Sequence, residues 1–513
     1  MQKYYWWTQE QKQLADDAKE IVDDLLPRAT EYVWKKKYPR ELAQEIAKHG
    51  WFGAQIPKEY GGRMEDWGIT GACIINEELG RCNEVASIVV PTMIGGTHQI
   101  IHDGTEEQKR RWLPRIAKGE LYCAICMTEP WVGSDVAAIE TTARREGDVY
   151  VLNGKKRFTT NCAGADLYMV YAKTSDDQND RRRYRHLTGF IVEKGTPGFS
   201  VEKMNELLAF DGGYNGYIAF NDARVSAVNR IGGEGEGWKV MMSGLNVERI
   251  LSAVGPLGSM REILRWAVYH LQRRVQFGKP NIEQPVLQGK IADIMWHLSL
   301  GRLAVYHVAH MLDNGQDAPL EAAMMKMINS DALMKDCIEA VQCMGGDGAT
   351  RFYPVEGVLR SAKVGQIAAG TNEIAKMVVF RQGLRSLEED LKVPQRVMSH
   401  ELGIPIPLGK ERVRPVAAEL KGEARVVKVL AENYRVNPGL YLSRQEMTEQ
   451  MELEGAELDR LLQSLEEKGL AKTYKDAKGM VALARATFTA LAQANPPEYY
   501  KYIPSWVTES DLF

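Results

Sequence analysis

The chain has 513 residues, 44% hydrophobic and 26% charged, with a formal net charge of −3. That length is too great for one core and suggests about three domains, while the near-neutral charge excludes a chain built as a whole to hold nucleic acid or an anionic membrane. Seven cysteines, an odd number in a chain that needs no staples, point to free thiols in a reducing compartment, and no window approaches the roughly 18 apolar residues of a membrane span.

From Thr8 to about Lys118 the pattern is helical. Leu14, Ala18, Ile21, Val22 and Leu25 repeat at three and four, and Pro27 reads as the end of that run. A second helix spans about 39–49 and stops at Gly50; Gly53 to Gly62 is a loop punctuated by Pro57, Gly61 and Gly62; further helices follow at about 68–81, 86–102 and 106–118. The start, Met1 to Trp7, has neither an apolar signal core nor an Arg/Ser-rich transit character, so the expectation is a cytoplasmic protein.

The texture changes at Leu121. Val149–Leu152, Leu167–Tyr171, Thr188–Val192 and Tyr217–Phe220 are short runs of β-formers separated by Asn153-Gly154 and Pro197-Gly198, the pattern of a small antiparallel β-domain. From Gly237 to about Glu388 four long apolar-faced helices, broken near 278–285, 315–319 and 345–354, read as a bundle. Pro394, Pro405, Pro407 and Pro415 mark a linker. Beyond it, helices at about 424–434, 443–450 and 456–468 and a hairpin over 471–484 follow winged-helix order. The expected architecture is therefore α+β: an N-terminal helical domain (1–120), a middle β-domain (121–235), a C-terminal four-helix bundle (236–392), a linker (393–420) and a winged-helix-like extension (421–513).

One carboxylate stands out. In Ser243-Gly244-Leu245-Asn246-Val247-Glu248-Arg249-Ile250 a single acid, Glu248, lies inside a largely apolar helical turn. It is either paired, with Arg249 or a neighbour, or it has chemical work to do, because a buried unpaired carboxylate is costly. Arg274 lies about 39 Å further along a straight helix, so the two cannot serve one centre within a single subunit. Cys123 and Cys126 form a C-x-x-C with no second pair at metal spacing, and His297, His307 and His310 read as helix-face residues, so no metal is expected.

The second informative stretch is Cys126-Met127-Thr128-Glu129-Pro130-Trp131-Val132-Gly133-Ser134-Asp135, a strand leading into a loop whose glycine admits a planar ligand to the backbone. With Gly104-Thr105-Glu106-Glu107-Gln108-Lys109, Phe158-Thr159-Thr160-Asn161, Arg274-Val275-Gln276-Phe277-Gly278, Gln342-Cys343-Met344-Gly345-Gly346 and Ala369-Gly370-Thr371-Asn372-Glu373, it resembles the acyl-CoA dehydrogenase family over residues 1 to about 390. The resemblance implies that family's fold and FAD. It implies flavin contacts at Ile125, Met127, Thr128, Gly133, Ser134, Phe158, Thr159 and Thr160. It also implies contacts to the pyrophosphate and adenosine of a neighbouring subunit's FAD at Arg274, Phe277, Gln288, Gln342, Cys343, Met344, Gly345 and Gly346, with Thr371, Asn372 and Glu373 completing the set. Phe158 stands where the family usually has Trp.

Many members carry a catalytic Glu just before the Gly-Thr of the last motif, where this chain has Ala369. A smaller branch, like the isovaleryl-CoA and long-chain enzymes, places it in a Leu-x-x-Glu-Arg turn, and Leu245 to Arg249 matches that pattern. The resemblance thus implies that Glu248 takes the pro-R α-proton while a β-hydride passes to flavin N5, giving a 2,3-enoyl-CoA, with the thioester oxygen held by the ribityl hydroxyl and the backbone N–H of Ala369. Substrate contacts are implied at Ser134, Lys239, Asn246, Val247, Arg249, Ala369 and Gly370. A homotetramer (a dimer of dimers) and an electron-transfer flavoprotein as electron acceptor follow from the same source. An acyl-CoA oxidase, an enoyl-CoA reductase, or a non-enzymatic acyl-CoA sensor using the extension are the alternatives. Arg181-Arg182-Arg183-Tyr184-Arg185 is a solvated basic face or a site for the CoA 3′-phosphate, and Asp211 to Gly216 departs from the family's Ser/Thr-containing approach. From Glu411 onward 14 Lys+Arg face 16 Asp+Glu, the wrong balance for a phosphate-binding surface, so no nucleic acid is expected there.

Overall fold

In the computed structural model, α1 (Gln9–Lys35) continues past Pro27 instead of ending there. Pro27 lies on the exposed face, where the carbonyl it deprives of a partner can bond water, and Ala29 beyond it is buried in the core, which carries the helix onward. The structure describes residues 3–210, 212–391, 416, 419–436, 439–451, 453 and 455–494, and these divide into two units, Met1–Leu387 and Glu388–Phe513.

In the first unit α2 (Arg40–Ala47) turns Leu42, Ala43 and Ile46 inward, and α3 (Met64–Leu79) is buried from Ile69 to its end. The sequence reads one helix over 86–102, but the chain forms α4 (Asn83–Thr92), a π-turn at Met93–Thr97 and α5 (His98–Asp103). Gly95 and Gly96 leave helical geometry inside that turn. A Cβ on Gly95 would come within 3.0 Å of Ile125, so the opening lets a β-strand approach the backbone. The helix α6 (Glu106–Ala117) starts at a capping box between Thr105 and Gln108.

The middle strands are β1 (Cys123–Cys126), β2 (Thr142–Glu146), β3 (Val149–Thr159) and β4 (Leu167–Lys173); after the short α7 (Gln178–Arg182) come β5 (Leu187–Glu193), β6 (Phe199–Met204), β7 (Gly216–Ser226) and β8 (Arg230–Ile231). The sheet runs β6-β7-β3-β2-β4-β5-β8, with β1 on β4. It is mixed where the sequence suggests pure antiparallel pairing: β1 lies parallel to β4 along its length, and β2 meets β4 parallel at Thr142 and Lys173. Strand β4 is buried on both faces through Ala172, which is why it reads as a continuous apolar run without alternation.

The bundle follows: α8 (Gly237–Ser243), α9 (Leu245–Arg273), the two-residue strands β9 (Val275–Gln276) and β10 (Lys279–Pro280), α10 (Pro285–Asp313), α11 (Pro319–Met344), α12 (Val355–Gly365) and α13 (Asn372–Ser386). Three members are long, and the fourth is split by a turn at residues 366–371 that carries Ala369 and Gly370. A buried ionic knot ties α1, α3, α9 and α10, with Asp23 of α1 accepting from Arg81 at 2.5 Å. Arg302 bonds Glu77, Tyr306 donates to Glu77 at 3.0 Å, and Arg81 meets Glu78 at 2.9 Å and Glu262 at 3.3 Å.

The second unit contains α14 (Gly422–Val436), β11 (Leu442–Ser443), α15 (Arg444–Met451), α16 (Gly455–Glu467), β12 (Ala471–Lys475), β13 (Val481–Ala486) and α17 (Phe488–Ala494). Three helices followed by a hairpin match the sequence reading; the added β11 makes a three-stranded sheet in the order β11-β13-β12. Its own core includes Val426, Leu430, Leu458, Leu462 and Leu465. Of the stretch read as a linker only residues 416, 419 and 420 are among the described ones, and 495–513 lie outside them. No described helix is long and apolar enough to cross a membrane, and no cluster of potential metal ligands occurs among the described residues, whose seven cysteines are all free and buried.

Candidate active site

Glu248 sits in the first turn of α9, its N–H bonded to Gly244 O at 2.9 Å. The helix can start there because Gly244 carries no side chain: a Cβ would fall 2.5 Å from the His98 ring on α5. Asp103, at the end of α5, accepts from Ser243 Oγ at 2.9 Å, which ties the α8–α9 junction to α5. The Glu248 carboxylate makes no hydrogen bond or ion pair among the described residues, and Arg249 beside it does not pair with it. Although part of the side chain remains open to solvent, the carboxylate lies deep among protein atoms, and desolvation pushes its pKa up to about 7 against the pull of Arg249. The reading of Glu248 as a structural partner of Arg249 is therefore not supported. Burial also lowers the pKa of Arg249, with Glu248 opposing the shift.

Two neighbours were not legible in the sequence. Tyr171 of β4 is fully buried, its hydroxyl has no hydrogen-bond partner among the described residues, and its pKa is raised by burial and then by the charges of Glu248 and Asp103. His98 is 6% exposed and its pKa is lowered to about 3 by burial and by His102, whose ring lies 4.2 Å away. The sequence signal for both was only an apolar run, which does not show what a polar tip faces.

The turn before α13 places Ala369 at φ 54 and Gly370 at φ 81, two successive left-handed residues. The Ala369 N–H takes no acceptor among the described residues. Asn246, on the turn of Glu248, donates instead to Asp317 at 2.8 Å, and Val247 packs against the core. Lys239 is exposed, 3.9 Å from Glu236.

The residues expected to meet a flavin fall into two groups. On β1, β3 and the loop between β1 and β2, Ile125, Met127, Thr128 and Thr160 are partly exposed, and Gly133, Ser134 and Phe158 are exposed. Phe158 stands at φ 57 under the Arg157 guanidinium, 4.3 Å from the ring centre. The strand end is buttressed by the segment that departs from the family pattern: Asn215 donates to Phe158 O at 3.1 Å and to Thr160 Oγ1 at 3.0 Å. Tyr214 stacks on Tyr38 at 4.5 Å, and the Tyr38 hydroxyl bonds Asn161. Below them Lys156, fully buried, bonds Glu129 at 2.7 Å, and Glu129 accepts from the N–H groups of Glu140 and Thr141, which fixes the loop. Thr159 itself is buried.

The second group lies on the helical bundle and its turns. Arg274, Phe277 and Gln288 are exposed; Phe277 is 96% exposed and the Arg274 guanidinium has no partner among the described residues. Gln342, Gly345 and Gly346 are exposed, and a Cβ on either glycine would meet open space. Cys343 and Met344 differ from expectation: both side chains belong to the core, because the helical period turns them inward, so only their backbone is available to a ligand. Asn372 is likewise buried in a hydrogen-bond knot, Thr371 caps α13 by accepting from Ile374 N at 3.3 Å, and Glu373 is exposed. An open aromatic face, open glycine backbones and a free guanidinium are a donor set that fits a dinucleotide flavin. The basic loop is less suited to a phosphate than its sequence suggests. Arg181, Arg182 and Arg183 are exposed and Tyr184 stacks on Trp238 at 4.5 Å, but the adjoining cavity of about 440 Å³ is lined by Asp180, Glu234 and Glu236 beside Arg185.

Profiles described as acyl-CoA dehydrogenase N-terminal, middle and C-terminal domains match residues 8–120, 124–223 and 235–384. An acyl-CoA dehydrogenase of Bacillus subtilis (strain 168) is 36% identical over 377 residues, 73% of this chain and 98% of the relative. The mitochondrial isovaleryl-CoA dehydrogenase of Pongo abelii is 34% identical over 383 residues, 73% of this chain and 88% of the relative. The solved structure of butyryl-CoA dehydrogenase from Megasphaera elsdenii covers 74% of this chain and 100% of its own, with a TM-score of 0.71 at 34% identity. The helical, sheet and helical parts of the first unit are thus the domains of one known fold, and the chain belongs to the acyl-CoA dehydrogenase family, oxidoreductases acting on CH–CH bonds.

Proposed function

We propose that the chain is an FAD-dependent acyl-CoA dehydrogenase whose base is Glu248. The observation that carries this reading is the unpaired carboxylate at the head of α9, desolvated to a pKa of about 7. An α C–H beside a thioester is a weak acid, and a base held near neutrality is matched to accepting its proton. The Ala369 N–H would receive the thioester oxygen as negative charge develops there. As the α-proton moves to Glu248, the electrons of that bond form the Cα=Cβ bond while a hydride leaves Cβ, giving the 2,3-enoyl thioester. FAD, when bound, supplies the acceptor for that hydride. Thr128, Ser134, Phe158 and Thr160 would hold its ring system, and Arg274, Phe277 and Gln288 would reach the cofactor of a neighbouring subunit.

The bundle supports that sharing. Val286, Leu300, Phe352 and Phe380 are more than half exposed, as is Phe277, an apolar load that a free monomer rarely shows. A homotetramer, built as a dimer of dimers, covers such residues and brings Arg274 to a second site. We assign an electron-transfer flavoprotein as the electron acceptor, as in the family, and a cytoplasmic location. The acyl group is best found with a panel of straight, branched and cyclic acyl-CoA thioesters, scored for flavin bleaching with and without oxygen. Bleaching that persists anaerobically and is reversed by electron-transfer flavoprotein supports the dehydrogenase. Rapid reoxidation by oxygen with peroxide formation points to an oxidase. Absence of bleaching across the panel overturns the reading.

A further inference from the structure

The turn that carries Ala369 is strained: two successive residues, one of them not glycine, hold positive φ, a conformation that persists only where its surroundings impose it. What imposes it comes from the neighbouring helix. Lys326 of α11 is 2% exposed, and its ammonium donates to Gly370 O at 2.7 Å, to Gln366 O at 3.3 Å and to Asn372 Oδ1 at 2.8 Å. These acceptors lie at the start and the end of the turn, so one cation bonds both of its ends. The knot extends one turn along α11. Ser330 bonds the Asn372 side chain, and Asp331 accepts from Asn372 Nδ2 at 2.6 Å and from Gln366 Nε2 at 2.7 Å. The Asn372 N–H closes the turn onto Gln366 O at 3.0 Å.

Every acceptor of Lys326 is thus neutral, and burial lowers its pKa to about 8, with the charges of Asp331 and Glu373 opposing that shift and Arg249 adding to it. A buried lysine with no direct carboxylate partner is expensive to keep as a mere structural cross-link. Its position gives it a second effect: its carbonyl acceptors, Gln366 O and Gly370 O, flank the Ala368–Ala369 peptide unit, and a positive charge held beside that unit favours negative charge arriving at the Ala369 N–H.

We propose that Lys326 is the positioning residue for the thioester oxygen: it fixes the Ala369–Gly370 turn so that the Ala369 N–H meets the developing oxyanion, and its charge reinforces that donor. This rests on the reading of Ala369 N–H as the carbonyl donor. Lys326 touches neither substrate nor cofactor, so its removal should weaken the transition state more than the binding of CoA.

The test uses the FAD-loaded full chain and 3-thiabutyryl-CoA, whose α-proton can be abstracted but whose β-position is sulfur and yields no hydride. Difference infrared spectroscopy with the thioester carbonyl labelled by carbon-13 reads the donor directly. The wild type should shift the carbonyl stretch down on binding, and Lys326→Met should shrink that shift while its dissociation constant for the analogue changes less than about threefold. Flavin reduction by the best acyl-CoA of the panel should fall about 10- to 100-fold at saturation, below the full loss of an oxyanion donor. A wild type with no downshift overturns the donor reading and this proposal with it. A wild-type downshift that Lys326→Met retains, or a loss confined to KM, overturns the role of Lys326 alone. Should Lys326→Met not accumulate with FAD bound, Lys326→Gln keeps one donor without the charge; a full-sized shift in that variant also overturns the proposal.

Discussion

Glu248 and Arg249 are adjacent in the chain, yet they form no ion pair: the carboxylate is raised to about 7 by desolvation while burial depresses the guanidinium. Two consequences follow for pH. Below about 7 the carboxyl keeps its proton and cannot accept another, so kcat/KM should fall about tenfold per pH unit on the acid side and reach a plateau above that value. The folded-state pKa lies above the ordinary carboxyl value of 4.5, so the protonated form is favoured by the fold. Its contribution to stability is fully present below the unfolded value and is lost as pH rises through about 7. Glu248→Gln should therefore match the wild-type Tm near pH 4 and exceed it near pH 8. A pH profile of kcat/KM flat from 5 to 9 would contradict the assignment of the base.

The location of the base can be tested by moving it. Glu248→Gln keeps size and hydrogen bonding but not proton acceptance, and should slow flavin reduction by about 10²–10⁴-fold while substrate still perturbs the flavin spectrum. Ala369→Glu alone should gain nothing, since two carboxylates in one site leave one of them protonated. Glu248→Gly combined with Ala369→Glu should recover part of the rate. The backbone allows it, because Ala369 already carries a Cβ at positive φ. Stopped-flow reduction of the three variants decides it, and wild-type speed in Glu248→Gln would make the residue structural.

Much of this was legible because the chain's punctuation is chemical. Gly244, Glu248 and Arg249 could be picked out where one acid interrupts an apolar turn, and the Thr-Glu-Pro to Ser-Asp loop, weak from residue types alone, was recognisable through its resemblance to a family signature. What escaped has a common physical cause. Pro27 was read by its local effect, but tertiary burial of Ala29 outweighs a lost hydrogen bond at an exposed position. The π-turn at Gly95–Gly96 exists to receive β1, and the parallel pairing of β1 with β4 joins residues more than 40 positions apart. Lys326 has the same character. A lysine among methionines on a helix reads as a solvated residue until the carbonyls of a distant turn are seen around it.

The ionic knot of the first unit should be asymmetric to mutation. Arg302→Met leaves Glu77 buried without its principal cation, because Arg261 reaches it only at 3.3 Å and is shared with Glu78. Breaking a buried pair from one side costs about 3–5 kcal/mol. Replacing both partners, Arg302→Met with Glu77→Leu, should cost much less than the single change. Denaturant midpoints of the wild type, of Arg302→Met and Glu77→Leu singly and of the double variant measure this, and additive losses would show that the pair is not coupled.

Arg274 supplies an independent check on subunit sharing. Its guanidinium is exposed and without a partner among the described residues, and Phe277 three residues on is 96% exposed. Arg274→Ala should lose FAD during gel filtration and shift the oligomer toward smaller species, since a charge-assisted contact to a pyrophosphate is hard to replace. Added FAD should restore both together. A variant that stays fully yellow and fully assembled would place Arg274 outside the cofactor site.

The extension is predicted to be dispensable for chemistry and silent toward DNA. Every residue assigned to the site lies before Leu387, in the first unit, while the second has its own core. Deleting 395–513 should therefore leave the rate of flavin reduction within about twofold of the wild type, although it can alter assembly or partner choice. Within the second unit two cations are held by carboxylates. Arg444 forms a two-pronged bond to Asp459 with both distances 2.8 Å, and Lys468 bonds Glu423 at 2.6 Å. The helix that would enter a groove, α16, carries Glu457, Asp459, Glu466 and Glu467 against Arg460 as its only cation. A helix of that charge is repelled by phosphates; the basic side chains of the hairpin are Lys472, Lys475, Lys478 and Arg485, of which Lys472 and Arg485 lie over Tyr474 and Tyr441. Duplex DNA should give no gel shift at physiological salt. A shift that weakens steeply as salt is raised would mean that the extension reads nucleic acid through those hairpin residues, and the regulatory alternative would then replace a purely metabolic one.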